Sequence, residues 1–291
     1  MTRRKADAAL ALNTLIWGST FTLVKAALRD VSPFLFLALR FSLAAAALAG
    51  LWMFGWRGRQ IERRTLAGGV LTGIFLFAGF LLQTLGLQLT TPPKSAFLTG
   101  LASVMVPLLA AVVYRNKPQA SEVLGVLVAT AGLALLTLEG PLSSVGKGDV
   151  LTLLCAVAFA GHIVTLGHYS ESASFEVLSV IQVGTAALLS LALLGGTQPL
   201  NIVWNPAVIY AILVTGILAT ALAFTIQAWA QKYTSSTRTA LIYMLEPVFA
   251  WLISYLVLGE GLAGRAALGA ILILGGVALV ELKPMQIRLH P

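Results

Sequence analysis

Ten mostly apolar stretches, each near twenty residues long, take up almost all of this 291-residue chain. They run over 7–28, 33–54, 65–89, 95–114, 120–138, 149–168, 175–195, 206–230, 237–258 and 264–282. About 20 apolar residues in a helix cross the hydrocarbon layer of a bilayer. Backbone groups in that layer must bond to one another, which leaves helices as the solution for segments of this kind. The joints are short and carry turn residues, as in Val31-Ser32-Pro33, Thr90-Thr91-Pro92-Pro93 and Gly146-Lys147-Gly148. The expected fold is an all-α polytopic membrane protein with ten transmembrane helices, integral to a bacterial plasma (inner) membrane.

Charge agrees with this reading. Only 10% of residues are Asp, Glu, Lys or Arg, against about 25% in soluble domains. The net charge of +8 is spread over short loops, which fits lipid headgroups and topology and gives no reason to expect a nucleic-acid partner. The basic start Arg3-Arg4-Lys5 runs into the first apolar stretch with no small-residue cleavage site, so this stretch reads as a spanning helix. With the N-terminus cytoplasmic, 13 Lys and Arg fall on the cytoplasmic side and 5 on the other, Arg40 lying within the second stretch. Both termini are therefore expected inside. The single cysteine, Cys155, lies in an apolar run and reads as a small buried hydrophobe.

The chain also repeats itself. In a register of 144 residues, Gln83 falls on Gln227, Thr90-Thr91 on Thr234-Ser235, Lys94 on Arg238, Gly125 on Gly269 and Gly132 on Gly276. Five segments per copy is an odd number, so the second copy enters the membrane from the opposite side. Two inverted-topology five-helix repeats, 1–142 and 143–291, are expected. The loop of Arg57, Arg59, Arg63 and Arg64 has a counterpart near 197–206 with no Lys or Arg, as opposite orientation requires.

Polar residues inside hydrocarbon are costly and mark either internal packing or a pathway. The ninth stretch carries Glu246 directly before Pro247, an acid beside a loosened helix. In the 144 register this pair falls on Ala102-Ser103, and Pro107 follows about a turn later. A loosened helix is thus expected in both halves at slightly different depths, with the acid on one side only. Asn13, Trp17, Phe21 and Lys25 recur every four residues along one face of the first helix. Lys25 reads as snorkelling at the outer interface. Arg40 has two open readings, a substrate carboxylate clamp or a structural partner of Glu246. Gln83, Gln227, Gln231 and Gln182 either bond neighbouring helices or face a cavity, and His162, in mid-segment, is either a satisfied core histidine or a functional one. Gly69/Gly73, Gly125/Gly132 and Gly269/Gly276 are packing faces, which for the fifth and tenth segments means a neighbouring helix or a second subunit in a homodimer. Walker A, HExxH and GxSxG patterns are absent from the sequence, metal-ligand spacing is lacking, and no cofactor or enzymatic activity is expected.

Six motifs in order resemble one family. Trp17-Gly18-Ser19-Thr20-Phe21 followed by Lys25, Leu39-Arg40-Phe41, and Thr90-Thr91 with Ala96-Phe97-Leu98-Thr99-Gly100 are similar to the first repeat of the EamA family in the drug/metabolite transporter superfamily. Tyr233-Thr234-Ser235 with Ala240-Leu241, Leu245-Glu246-Pro247 and Leu258-Gly259-Glu260 resemble its second repeat. The resemblance implies ten helices, five plus five inverted, and secondary transport of small metabolites, often amino acids, with helices five and ten beside the central cavity. One departure is Arg115-Asn116-Lys117 opposite Gly259-Glu260-Gly261, which leaves Glu260 unmatched and favours an interfacial role for it.

The function expected is gradient-driven export of a small-molecule metabolite across the lipid bilayer, by alternating access around a midplane cavity. Its lining is expected from Asn13, Trp17, Arg40, Gln83, His162, Gln227, Tyr243 and Glu246, with Glu246 or His162 as carrier of a coupling proton. The contrasting reading is a non-transporting scaffold or receptor subunit that assembles through its glycine faces.

Overall fold

The computed structural model describes residues 3–56, 61–115, 118–138, 146–195, 200–249, 252 and 264–281. Glu260, Arg57, Arg59 and the end of the ninth stretch lie outside the described residues. Among the described residues, helices of eight or more residues follow in order: α1 (Arg3–Gly18), α2 (Thr20–Ala27), α3 (Pro33–Phe54), α4 (Arg63–Leu89), α5 (Pro92–Gly100), α6 (Ala102–Tyr114), α7 (Ala120–Thr137), α8 (Lys147–Ser170), α9 (Phe175–Leu194), α10 (Pro206–Ala230), α11 (Ser236–Tyr243) and α12 (Gly264–Glu281). Among the described residues seven spans are long and apolar enough to cross a membrane, counting α5 and α6 together from Lys94, and α12 is a shorter apolar helix. The helix starts are written in the sequence. Pro33, Pro92 and Pro206 sit in first turns, where a missing N–H costs nothing. Asn205 and Ser235 cap α10 and α11 by accepting from Val208 N at 2.9 Å and Arg238 N at 3.2 Å.

The tightest packing joins helices from opposite halves of the chain. α4 lies against α8 and α9, α3 against α9 and α10, α1 against α10 and α11, and α7 against α12. Glycines allow this closeness. A methyl group at Gly69 would lie 2.7 Å from Ile181, and one at Gly73 would lie 2.6 Å from the Gln182 carbonyl, so the GxxxG of α4 is the seat of α9. α7 and α12 meet backbone to backbone. A methyl at Gly132 would stand 2.6 Å from the Gly269 carbonyl oxygen, and one at Gly125 would stand 2.8 Å from that of Gly276. The two helices therefore run antiparallel. The 144 register exchanges the two contacts, since Gly125 maps to Gly269 and Gly132 to Gly276. The glycine faces of the fifth and tenth segments are thus used on each other within one chain.

Continuity fails where the helices approach the middle of the bundle. α1 gives way to α2 at Ser19, α5 to α6 at Leu101, and α11 ends in a turn at Met244-Leu245 before helix resumes over 246–249. Leu101 falls on Leu245 in the 144 register, so two of the breaks are equivalent. At each, tight i to i−3 bonds replace the α pattern, Val104 N to Leu101 O at 3.0 Å and Leu245 N to Ile242 O at 3.0 Å. This corrects the expectation built on Pro107. That proline is carried inside α6, and the first half loosens six residues earlier, at the same depth as the second. A fourth irregularity is the π-helical stretch Val214–Leu222 inside α10.

Candidate functional site

The breaks surround a cavity of about 110 Å³, counted as space for the centres of water-sized molecules. A single water needs ~10–15 Å³ on that measure, so several waters or a small solute fit. Seven of the eight expected residues line it: Trp17, Arg40, Gln83, His162, Gln227, Tyr243 and Glu246. Asn13 does not. It is fully buried behind the wall, and its Nδ2 donates to the Ala223 carbonyl at 2.8 Å, holding α1 to α10. Neither α7 nor α12 contributes a lining residue.

Aromatic rings make the apolar wall. Phe80 is its centre, with ring centroids of Phe159, Phe41 and Phe224 at 5.1, 5.5 and 5.9 Å in edge-to-face arrangements. Trp17 stacks edge-on against Tyr243 at 4.8 Å and lies 5.4 Å from Phe224. These rings come from six different segments, so their meeting could not be read from spacing.

Arg40 is 3% exposed and is held on three sides. Nε donates to Thr220 Oγ1 at 2.8 Å, Nη2 reaches the Ala219 carbonyl at 3.4 Å, and Cζ sits 4.0 Å from the Phe80 ring centroid. The π-helical stretch supplies both oxygens. Its wider turn lets Thr220 Oγ1 donate to Thr215 O at 2.7 Å, five residues back, while Ala219 O accepts from Arg40 and from Trp17 Nε1 at 2.9 Å. Among the described residues no ion pair joins Arg40 to Glu246. The pairing was one of the two open readings of Arg40, and the described contacts of this cation are to neutral oxygens and a ring face. Glu246 instead borders the cavity with no side-chain hydrogen bond or ion pair among the described residues.

The glutamines divide their tasks. Gln83 Nε2 donates weakly to Thr99 Oγ1 at 3.3 Å across to α5. Gln227 Nε2 donates to Gln231 Oε1 at 2.9 Å, and Gln231 Nε2 donates to the Ile163 carbonyl at 2.9 Å, so Gln231 is helix-to-helix glue. The Gln227 Oε1 and Tyr243 hydroxyl are buried without a hydrogen bond among the described residues. His162 Nε2 lies 3.0 Å from Gln182 Oε1, so Gln182 orients the imidazole from outside the lining. Cys155 is fully buried beside Thr99, at 3.9 Å. Lys25 does not simply snorkel. Its Nζ donates to the carbonyls of Leu87, Gln88 and Thr90, at 2.5, 3.0 and 3.0 Å, and so caps the end of α4.

A cavity with aromatic walls and isolated polar groups, ringed by broken helices, is transporter architecture. The sequence pattern of the EamA-like transporter family matches residues 4–138 and matches again at residues 146–282. The chain belongs to the EamA-like transporter family. It is an integral, multi-pass membrane protein. An uncharacterized transporter of Archaeoglobus fulgidus is 36% identical over 281 residues, covering 97% of this chain and 87% of the relative. A probable amino-acid metabolite efflux pump of Salmonella typhimurium is 28% identical over 95% of this chain and 94% of its own length. A crystal structure with a TM-score of 0.75 and 22% identity, covering 94% of this chain and 96% of the other, has the same fold.

Proposed function

We propose that this EamA-like protein is a gradient-driven exporter of small organic metabolites, amino acids among them, working by alternating access around the cavity. The observation that carries the reading is the cavity itself. It offers aromatic walls from Trp17, Phe80, Phe224 and Tyr243 to the apolar part of a solute. Gln83, Gln227, His162 and the Tyr243 hydroxyl offer hydrogen bonds, and Glu246 offers a carboxylate with no side-chain partner among the described residues. Arg40, already satisfied by Thr220 and Ala219, shapes the floor and presents its remaining N–H groups. Glu246 or His162 carries the coupling proton in this reading. The family relative named as an amino-acid metabolite efflux pump supports the substrate class and the direction.

The reading includes ten spans in two inverted halves, 1–142 and 143–291, with both termini cytoplasmic. Its support is threefold: each half matches the family pattern separately, the α7–α12 glycine contacts are exchanged by the repeat register, and the breaks at Leu101 and Leu245 are equivalent. The scaffold alternative loses its main argument, because the glycine faces it would use are taken up inside the chain.

The test is flux from proteoliposomes loaded with a panel of amino acids, with and without an imposed proton gradient. Substrate-dependent efflux that follows the gradient is expected. No flux for any member of the panel would count against the substrate class, and flux indifferent to the gradient would count against proton coupling.

A further inference from the structure

Outside the cavity, two clusters of ionisable groups stand in equivalent places. One consists of Thr90, Lys94 and Asp149; the other sets Arg238 against Asp7, with Thr234 added to it as the register counterpart of Thr90. Thr90 and Lys94 map to Thr234 and Arg238 in the 144 register. The aspartates open α8 and α1 in the matching sequences Lys147-Gly148-Asp149 and Lys5-Ala6-Asp7, which are 142 residues apart. Each triad therefore ties the first helix of one half to the segment that follows the third helix of the other half.

The two triads occupy opposite ends of the bundle. Asp7 lies near the start of α1, whereas Lys25, at the end of α2, reaches the Thr90 carbonyl at 3.0 Å. Eighteen residues of helix separate Asp7 from Lys25, a rise of about 27 Å, close to the hydrocarbon thickness of a bilayer.

They are not in the same state. Asp149 is fully engaged: Lys94 Nζ lies 2.6 Å from Oδ2, Thr90 Oγ1 donates to Oδ1 at 2.8 Å, and Gly146 N donates to Oδ2 at 2.8 Å. At the other end Arg238 Nη2 stands 3.6 Å from Asp7 Oδ2 and Arg3 Nε stands 3.9 Å from it. Both Asp7 oxygens and Thr234 Oγ1 are buried without a hydrogen bond among the described residues. The same three-residue device is drawn tight at one end and slack at the other.

We propose that the two triads are alternating latches, one tightening as the other slackens, so that they set which end of the cavity is open. A carboxylate, a hydroxyl and a cation suit this task. A charge-assisted bond is short and directional when made, and the ions are readily rehydrated when the helix ends part. Because the triads share one register, the rearrangement that tightens Asp7 on Thr234 and Arg238 is the same one that releases Asp149 from Thr90 and Lys94. The inference rests on the alternating-access reading but needs no knowledge of the solute.

The test is side-specific labelling of a cavity cysteine. Thr84→Cys in a Cys155→Ala background is reconstituted in vesicles and exposed to a membrane-impermeant maleimide from either side. Asp149→Asn is expected to shift the ratio of labelling between the sides by roughly fivefold or more, the low end of a coupling between two states. Asp7→Asn should shift it in the opposite direction. The milder Thr90→Val and Thr234→Val should repeat these directions with smaller size, and they serve if an Asn variant fails to fold. The exchanged pair Lys94→Asp with Asp149→Lys should return the ratio toward that of the parent. Shifts in the same direction, or none in variants that elute as the parent does, would overturn the latches while leaving alternating access intact. A parent cysteine labelled from one side only, under every condition, would remove alternating access and the latches with it.

Discussion

Trp17 and Arg40, from different segments, donate to one acceptor, the carbonyl oxygen of Ala219, at 2.9 and 3.4 Å. That oxygen lies in the π-helical stretch of α10, which also supplies the Thr220 hydroxyl that accepts from Arg40 Nε at 2.8 Å. The cavity floor is thus made by a local defect in one helix that two others use.

Removing the Thr220 hydroxyl should therefore be felt at Arg40. Thr220→Val leaves a buried guanidinium short of a partner, at a cost of about 1–3 kcal/mol. Thermal unfolding in detergent should show a clear loss for Thr220→Val and near-parent behaviour for Thr220→Ser.

Glu246 should separate function from stability. It meets the cavity without a side-chain partner among the described residues, so Glu246→Gln loses no ion pair. The variant should unfold within about 1 kcal/mol of the parent and lose most gradient-driven flux. A variant with full flux would exclude the carboxylate from coupling.

The α7–α12 crossing has no room for a side chain. Gly132→Val and Gly269→Val should each destabilise by at least about 1–3 kcal/mol, the usual cost of overpacking, because the neighbour they meet is backbone at 2.6 Å. Gly275→Ala is the control, since nothing lies within 4 Å of its added methyl. It should be neutral or stabilising by about 0.5–1 kcal/mol. Equal melting curves for all three would contradict the close approach.

Gln182 should act through His162. Gln182→Leu leaves the imidazole without its 3.0 Å partner, and the expected result is weakened solute binding with the cavity walls unchanged. Gln182→Asn, one methylene shorter, should not restore it. Binding of any solute that the flux assay identifies to purified protein is the measurement, and parental affinity in Gln182→Leu would assign the pair a packing role alone.

Much of the fold was legible because hydrocarbon thickness fixes segment length and proline and asparagine mark starts, as at Asn205-Pro206. Seven of the eight residues expected from the sequence line the cavity, because a polar side chain in such a segment has few places to go. Asn13 escaped, since an amide can equally be used up by a carbonyl of the next helix. The choice between the two readings of Arg40, a carboxylate clamp or a partner of Glu246, stayed open for a related reason. Sequence shows which charges need partners, but a π-helical carbonyl and a phenylalanine face are acceptors that no residue type announces. Pro107 misled because a proline can be carried inside a helix, whereas Leu101, an unremarkable residue, stands where the chain turns.

The glycine contact between α7 and α12 also bears on how the chain is made. Synthesis delivers α7 long before α12, and domains assemble in the order they emerge. Until α12 arrives, the small-residue groove of Gly125 and Gly132 lacks the backbone that fits so narrow a surface. α12 is therefore the piece that closes this groove, and a chain cut before Gly264 leaves the groove uncovered.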